Sequence, residues 1–274
     1  MTPHGPFEMP PPPLRTMRVR SADGVHLHVS EAGDGPPLLL LHGFPDNGDL
    51  WQPLIPALRD WHRLWMPDLR GYRHSDKPQA TSDYAIEALV ADVLALVDAM
   101  TASSHGRVFL AGHDWGGMLA WAFAALQPER IEKLVVFNAP HPCRFAELLR
   151  TDPAQREASS YVQRLRAPGA EVALAAQGHA KLRAMMQRSL PQMPIAELDA
   201  LSAGWAVPGG LNAMFQWYRA LDLEDPHAVP NLVGARWRID VPTLLLWGEG
   251  DGAFVPANLD GLERWVPRLR TLRF

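Results

Sequence analysis

The segment around Asp114 constrains the fold more than any other part of the chain. An apolar, partly β-branched run at residues 108–111 leads into the sequence Gly-His-Asp-Trp-Gly-Gly at 112–117, and an apolar helix-like segment follows. This pattern predicts a strand, a sharp turn and a helix. Gly112 and Gly116 each stand two residues from Asp114, which is the spacing of a nucleophile elbow. The tip of such a turn needs neighbours without a Cβ atom, because strand and helix approach closely there.

The residue at the tip of the predicted turn is an aspartate rather than a serine. A carboxylate, with a reference pKa of about 3.9, is already ionised at neutral pH. It can attack a saturated carbon and form an alkyl-enzyme ester, which a base-activated water must then hydrolyse. Asp114 therefore indicates displacement at an sp3 carbon, as in an epoxide or an alkyl halide. The structural alternative is a strand-end aspartate that caps the following helix.

Length, charge and cysteine content limit the classes of protein that the chain can be. Its 274 residues suit one large α/β domain or a domain with an insertion. The net charge of −4 is too small to indicate a nucleic-acid or membrane-surface partner. The sole cysteine, Cys143, excludes an intramolecular disulfide and suits a reducing compartment.

The sequence gives no sign of a membrane span, a secretory signal or a cofactor. No apolar run is long enough to cross a bilayer, and residues 1–14 read as a proline-rich tail without a signal-peptide core. There is no cluster with metal-ligand spacing, no G-x-G-x-x-G motif and no P-loop. We therefore expect a soluble, cytoplasmic protein that uses neither a metal nor an organic cofactor.

Predicted strands and helices alternate along most of the chain. The predicted strands are residues 16–20 and 25–29, joined by an Asp-Gly turn, then 38–41, 62–66, 108–111, 131–137, 241–248 and 269–274. The predicted helices are residues 51–58, 84–100, 118–126 and 259–265. This alternation predicts an α/β fold whose mostly parallel sheet has helices on both faces.

Several polar residues follow the predicted strands directly. Ligands of such sheets bind beyond the carboxyl ends of the strands, where His42, Asp68, Asp114 and Asn138 all stand. Asp68 is expected to be structural, because the neighbouring Arg70 could pair with it.

The alternation stops near residue 140, and the chain reads as helices and loops up to about residue 235. We interpret residues 140–235 as a helical lid inserted into a core formed by residues 15–139 and 236–274. No internal repeat is present.

Four motifs, in this order, resemble those of the α/β-hydrolase superfamily and, within it, of the epoxide hydrolases. They are His-Gly-Phe-Pro at 42–45, Gly-His-Asp-Trp-Gly-Gly at 112–117, Asn-Ala-Pro-His-Pro at 138–142 and Gly-Glu-Gly-Asp at 248–251. Haloalkane dehalogenases share the aspartate-centred elbow. Tyr161 and Tyr218, two of only four tyrosines, resemble the paired lid tyrosines of epoxide hydrolases. The dehalogenase alternative stays open at this point.

The resemblance implies a role for each matching residue. Asp114 would attack an epoxide carbon, while Tyr161 and Tyr218 donate hydrogen bonds to the epoxide oxygen. The backbone N–H groups of Phe44 and Trp115 would form an oxyanion hole during ester hydrolysis.

The same resemblance assigns the remaining site residues. Asp251 would orient a histidine base. We expect His42, Pro45, His141 and Trp217 to contribute to substrate binding, with His42 as a scaffold of the oxyanion loop and His141 at the pocket mouth. The expected partners are a small apolar epoxide and water.

The sequence departs from the family pattern at its end. In this superfamily the histidine base follows the acid, but the last histidine here is His227 and residues 252–274 contain none. A truncated chain, an unusual base or a non-catalytic homologue would each explain this, and truncation is the interpretation that we favour. Uncovered edge strands would then favour association, for instance as a homodimer.

Overall fold

A computed structural model describes residues 14–102, 106–221 and 237–274. Residues 1–13 of the predicted tail and residues 222–235 of the predicted lid, including His227, lie outside these ranges.

Within the described ranges, eight strands form a single sheet. They are β1 (Arg15–Arg20), β2 (His26–Ala32), β3 (Pro37–Leu41), β4 (Arg63–Pro67), β5 (Val108–His113), β6 (Ile131–Phe137), β7 (Thr243–Trp247) and β8 (Leu269–Arg273). The strands lie in the order β1-β2-β4-β3-β5-β6-β7-β8. Only the β1–β2 and β2–β4 pairs are antiparallel, and the other five pairs are parallel. The predicted mostly parallel α/β fold is therefore confirmed.

Helices fill most of the segments between the strands. They are α1 (Ile55–Leu58), α2 (Ile86–Thr101), α3 (Trp115–Leu126), α4 (Pro142–Thr151), α5 (Pro153–Ala158), α6 (Tyr161–Arg166), α7 (Ala170–Ser189), α8 (Ile195–Trp205) and α9 (Gly210–Ala220). Helices α4 to α9 occupy the region that the sequence predicts as the lid, and its separation from the core stays a prediction. No helix in the described ranges is both long and apolar enough to cross a membrane.

One predicted helix, at residues 259–265, is wrong. The chain forms two short 3-10 turns there instead, Pro256–Leu259 and Leu262–Arg264. Gly261 between them has a φ of +70°, in the left-handed region that a continuous α-helix does not use.

The centre of the sheet is buried on both faces. Leu39 and Leu41 of β3 are buried on one face, and Leu38 and Leu40 of the same strand are buried on the other, as the wholly apolar runs of parallel strands require. Helix α3 packs against these strands with Phe123 fully enclosed. Parallel pairing of β3 with β5 and of β5 with β6 brings the carboxyl ends of these three strands close together.

Asp68 is structural, but the expected Asp68–Arg70 pair does not form. The Arg70 guanidinium makes two hydrogen bonds with Asp92 of α2, at 2.8 and 2.7 Å, and an ion pair with Asp23 at 2.6 Å. Asp68 instead accepts a hydrogen bond from the backbone N–H of Gly48 at 3.0 Å. The reason is that Asp92 presents a buried carboxylate to the enclosed guanidinium, and burial of a charge requires a partner at close range.

Candidate active site

Asp114 lies at a strained turn between β5 and α3. Its φ of +54° and ψ of −122° are unusual for a residue with a side chain. A Cβ atom on Gly112 would lie 2.2 Å from the carbonyl oxygen of Gly116, and one on Gly116 would lie 2.3 Å from that of Leu41. The side chain of Asp114 does not cap α3. The elbow geometry that the glycine spacing predicts is therefore present, and the capping alternative does not hold.

The Asp114 carboxylate faces the turn that follows β3. Its Oδ1 accepts a hydrogen bond of 2.8 Å from the Phe44 N–H. A Cβ atom on Gly43 would lie only 2.2 Å from the same oxygen, so this approach requires glycine. Burial raises the pKa of Asp114 above its usual value, and the nearby Asp251 charge adds to this. The N–H groups of Trp115 and Phe44 act in the opposite direction by stabilising the ionised form.

Tyr161 and Tyr218 lie close together near the elbow, although they are 57 residues apart in the sequence. Tyr161 begins α6 and Tyr218 belongs to α9, and their ring centres are 6.4 Å apart. The Tyr218 ring also meets the Trp115 ring edge-on at 5.1 Å. Burial and the neighbouring Asp114 charge raise the pKa of both phenols, so both are protonated at neutral pH.

Asp114 and both tyrosines line one narrow cavity. About 40 Å³ of it is open to the centre of a water molecule, so the cavity can admit water. The other lining residues are Trp115, Met118, Phe145, Ser159, Val162, Leu221 and Phe254. Except for Trp115, these additional residues were not predicted from the sequence. They come from five separate segments, and no local pattern marks them.

Asp251 lies in the loop after β7 and is held by a network around Asn138. Its Oδ2 accepts a hydrogen bond of 2.7 Å from the Asn138 side-chain amide. Its Oδ1 accepts from the backbone N–H groups of Ala253 at 2.7 Å and Phe254 at 3.1 Å. Asn138 in turn exchanges hydrogen bonds with the backbone of Gly248. The sequence places Asn138 at a strand end but does not predict its contact with Asp251.

His42 and Pro45 shape the turn beside Asp114 without lining the cavity. The His42 Nδ1 donates to the carbonyl oxygen of Gly43 at 2.9 Å, and its Nε2 accepts from the Leu69 N–H at 3.0 Å. Burial lowers the pKa of His42 to about 4, so the ring is neutral at neutral pH. The Phe44–Pro45 peptide bond is cis, and the carbonyl oxygen of Pro45 accepts from the indole of Trp205 at 2.7 Å.

The structure does not bring His141 or Trp217 to the cavity wall. His141 is fully buried, stacks on Trp265 at 5.1 Å, and hydrogen bonds to the Trp237 carbonyl oxygen at 3.2 Å. Burial lowers its pKa to about 3. The Trp217 indole donates to the carbonyl oxygen of Arg70 at 2.9 Å. Both residues pack inside the protein, and the Trp217 ring lies 5.7 Å from the ring of Trp115.

No three His, Cys, Asp or Glu side chains in the described part of the chain converge so as to hold a metal ion.

Comparison with known proteins agrees with this geometry. The family model described as alpha/beta hydrolase fold matches residues 36–274. A Bacillus subtilis AB hydrolase superfamily protein, YfhM, is 35% identical over 237 residues, which cover 84% of this chain and 80% of that protein. Human Epoxide hydrolase 4 is 32% identical over 269 residues, covering 93% of this chain. The chain spans 71% of the human protein and 66% of its mouse counterpart.

Solved structures give the same result. A Bacillus megaterium epoxide hydrolase, in complex with an inhibitor, superposes with a TM-score of 0.86 at 29% identity, covering 95% of this chain and 91% of that one. The chain belongs to the α/β-hydrolase fold family, among relatives that are epoxide hydrolases. It is therefore a hydrolase of this fold.

Proposed function

We propose that the chain opens a small apolar epoxide to a vicinal diol through an ester on Asp114. The observation that carries the proposal is the shared cavity of Asp114, Tyr161 and Tyr218. A carboxylate and two protonated phenols face each other there, which is the arrangement needed to attack a ring carbon while stabilising the ring oxygen.

In the first half-reaction, Oδ2 of Asp114 forms a bond to an epoxide carbon and the ring C–O bond breaks. The departing alkoxide accepts hydrogen bonds from Tyr161 and Tyr218 and takes a proton from one of them. Oδ2 is the attacking atom because Oδ1 is held by the Phe44 N–H. The product of this step is a hydroxyalkyl ester on Asp114.

In the second half-reaction, water attacks the ester carbonyl carbon. Oδ1 of Asp114 then carries the negative charge of the tetrahedral intermediate. It already accepts a hydrogen bond from the Phe44 N–H, and the Trp115 N–H stabilises the same carboxylate, so both groups can stabilise the charge without reorganisation. Collapse of the intermediate breaks the ester C–O bond, and the leaving alkoxide takes the proton of the added hydroxyl, so the diol is released and the carboxylate is restored. The proton that the base took from water returns to the ionised tyrosine.

The water in the second step needs a base, which Asp251 would orient. The Asp251 partners within the described residues are Asn138 and two backbone N–H groups rather than a histidine ring. The two half-reactions can therefore be measured separately. Formation of the ester depends on Asp114 and the tyrosines, whereas release of the diol depends on the base.

Dehalogenation is the alternative reaction that the same nucleophile could perform. A leaving halide needs free N–H donors, but the Trp115 side chain in the cavity hydrogen bonds to Tyr218, and the Trp217 indole donates to the Arg70 carbonyl oxygen. The phenol pair favours an epoxide, because epoxide opening leaves an alkoxide on the substrate that must be protonated. Release of bromide from a bromoalkane without epoxide opening would reverse this choice.

Incubation with styrene oxide tests the proposal by intact-protein mass spectrometry and diol analysis, with Asp114→Ala as the control. Diol with unmodified protein supports both half-reactions. A persistent adduct of one styrene oxide on Asp114 supports the first and indicates that the base is missing. Absence of both adduct and diol contradicts the assignment of Asp114.

The cytoplasmic location and the homodimer stay predictions.

A further inference from the structure

A fully buried amide, Gln155 of α5, connects the segment before Tyr161 to the loop after Asp251. Its Nε2 donates to the Ser159 hydroxyl and to the carbonyl oxygen of Ala253, each at 2.9 Å. Its Oε1 accepts from the backbone N–H of Val255 at 3.1 Å and from the side-chain amide of Asn258 at 2.7 Å. Both protons and both lone pairs of the Gln155 amide are therefore occupied.

These partners determine which atom of the Gln155 amide is the oxygen and which is the nitrogen. The Val255 N–H can only donate and the Ala253 carbonyl can only accept, so the amide oxygen must face the first and the nitrogen the second. The remaining N–H of Gln155 points at Ser159, whose oxygen must accept it. The hydroxyl proton of Ser159 must then point away from Gln155, and none of the described residues accepts a hydrogen bond from it.

Ser159 lies in the wall of the cavity that contains Asp114. Tyr161 and Tyr218 are assigned to the epoxide oxygen, and the Trp115 side chain hydrogen bonds to Tyr218. The remaining described lining side chains other than Ser159 carry no N–H or O–H group that could donate. A substrate oxygen outside the epoxide ring would therefore find its donor at Ser159.

We propose that Ser159 determines specificity by donating a hydrogen bond to an ether or carbonyl oxygen on the substituent of the epoxide. Gln155 orients this donor by occupying the Ser159 oxygen. The proposal rests on the proposed function of the same cavity. It favours epoxides that carry an acceptor oxygen near the ring over pure hydrocarbon epoxides of the same shape.

Two probes of equal length isolate this contact. Ethyl glycidyl ether and 1,2-epoxyhexane differ by one ether oxygen in place of a methylene group. The measurement is the disappearance of each epoxide in a single turnover with protein in excess, which is valid whether or not the ester is later hydrolysed. The comparison uses the ratio of the two rates, so that the intrinsic reactivity of each probe cancels between variants.

Ser159→Ala should slow the reaction of the ether by about three- to tenfold, as expected for loss of one neutral hydrogen bond. Its rate with 1,2-epoxyhexane should stay within about twofold of wild type, since no hydrogen bond is lost there. The matched control is Ser160→Ala, which removes a hydroxyl from the exposed neighbouring residue and should leave both rates unchanged.

A second variant tests the orienting role of Gln155. In Gln155→Glu a carboxylate oxygen replaces the Nε2 donor and accepts the Ser159 proton, so discrimination between the probes should fall while the hydroxyl remains present. The variant also loses the hydrogen bond to the Ala253 carbonyl oxygen, and an unchanged rate with 1,2-epoxyhexane shows that the cavity tolerates this loss. Equal effects of Ser159→Ala on both probes, or no effect on either, would overturn the proposal. Failure of the wild-type protein to react with both probes would instead overturn the proposed function.

Discussion

Gly43 provides a direct test of how closely the turn after β3 approaches the nucleophile. In Gly43→Ala the new Cβ atom would lie 2.2 Å from Oδ1, 2.4 Å from Cβ and 2.7 Å from Cγ of Asp114. Non-bonded heavy atoms normally stay about 3.5 Å apart. The carboxylate or the turn must therefore move by about 1 Å, and the 2.8 Å hydrogen bond from the Phe44 N–H is lost or lengthened.

A displacement of about 1 Å at the reacting atoms can reduce a reaction rate by about 10²-fold. We expect Gly43→Ala to slow single-turnover epoxide consumption by about that factor. Overpacking a buried site also costs about 1–3 kcal/mol of stability, so the Tm should fall by several degrees. Both effects follow from the same clash.

The assay combines single-turnover kinetics with thermal unfolding, and Gly250→Ala is its matched control. Gly250 lies next to Asp251, but a Cβ atom there would meet no atom within 4 Å. The control should therefore keep the wild-type rate and Tm. Wild-type rate and Tm in Gly43→Ala would show that the Asp114 carboxylate does not lie against this turn.

Three further predictions concern the tyrosines and the titrating groups. Tyr161→Phe and Tyr218→Phe should together slow epoxide opening by about 10²-fold or more, measured as single-turnover consumption; a double variant with the wild-type rate would contradict the role of the phenols. Because burial raises the pKa of Asp114, the rate of epoxide consumption should fall as the pH drops through that raised pKa. Asp251→Asn removes a nearby negative charge, so the pH at which the rate falls should be lower in this variant. Burial lowers the pKa of His42 to about 4, below its value of about 6.5 in the unfolded chain. As the pH falls from 6.5 to 4, the unfolded chain therefore binds a proton that the folded protein does not, and the free energy of unfolding should decrease by up to about 3 kcal/mol. An NMR titration of the His42 ring with a midpoint near 6.5 would contradict this.

The elbow could be predicted because its geometry depends on residues that are adjacent in the sequence. Gly112 and Gly116 are needed by a local steric constraint, and the side chain between them must be at the tip. The alternation of apolar runs likewise predicted the parallel sheet, because strands buried on both faces need continuous apolar sequence.

Contacts between distant segments could not be predicted in the same way. Arg70 pairs with Asp92 rather than with its near neighbour Asp68, and only the position of α2 decides this. The hydrogen bonds of Gln155 with Ala253 and Val255 likewise join the segment before Tyr161 to the loop after β7. No sequence spacing encodes such contacts, since they arise from how the helices between β6 and β7 pack on the sheet.

The most direct test of the account is a single turnover of styrene oxide in water enriched in ¹⁸O, followed by digestion and mass analysis of the peptide that contains Asp114. The account predicts ¹⁸O in the Asp114 carboxylate if the ester is hydrolysed, or one styrene oxide bound to Asp114 if it is not. Diol formation with neither ¹⁸O nor an adduct on this residue would show that Asp114 is not the nucleophile.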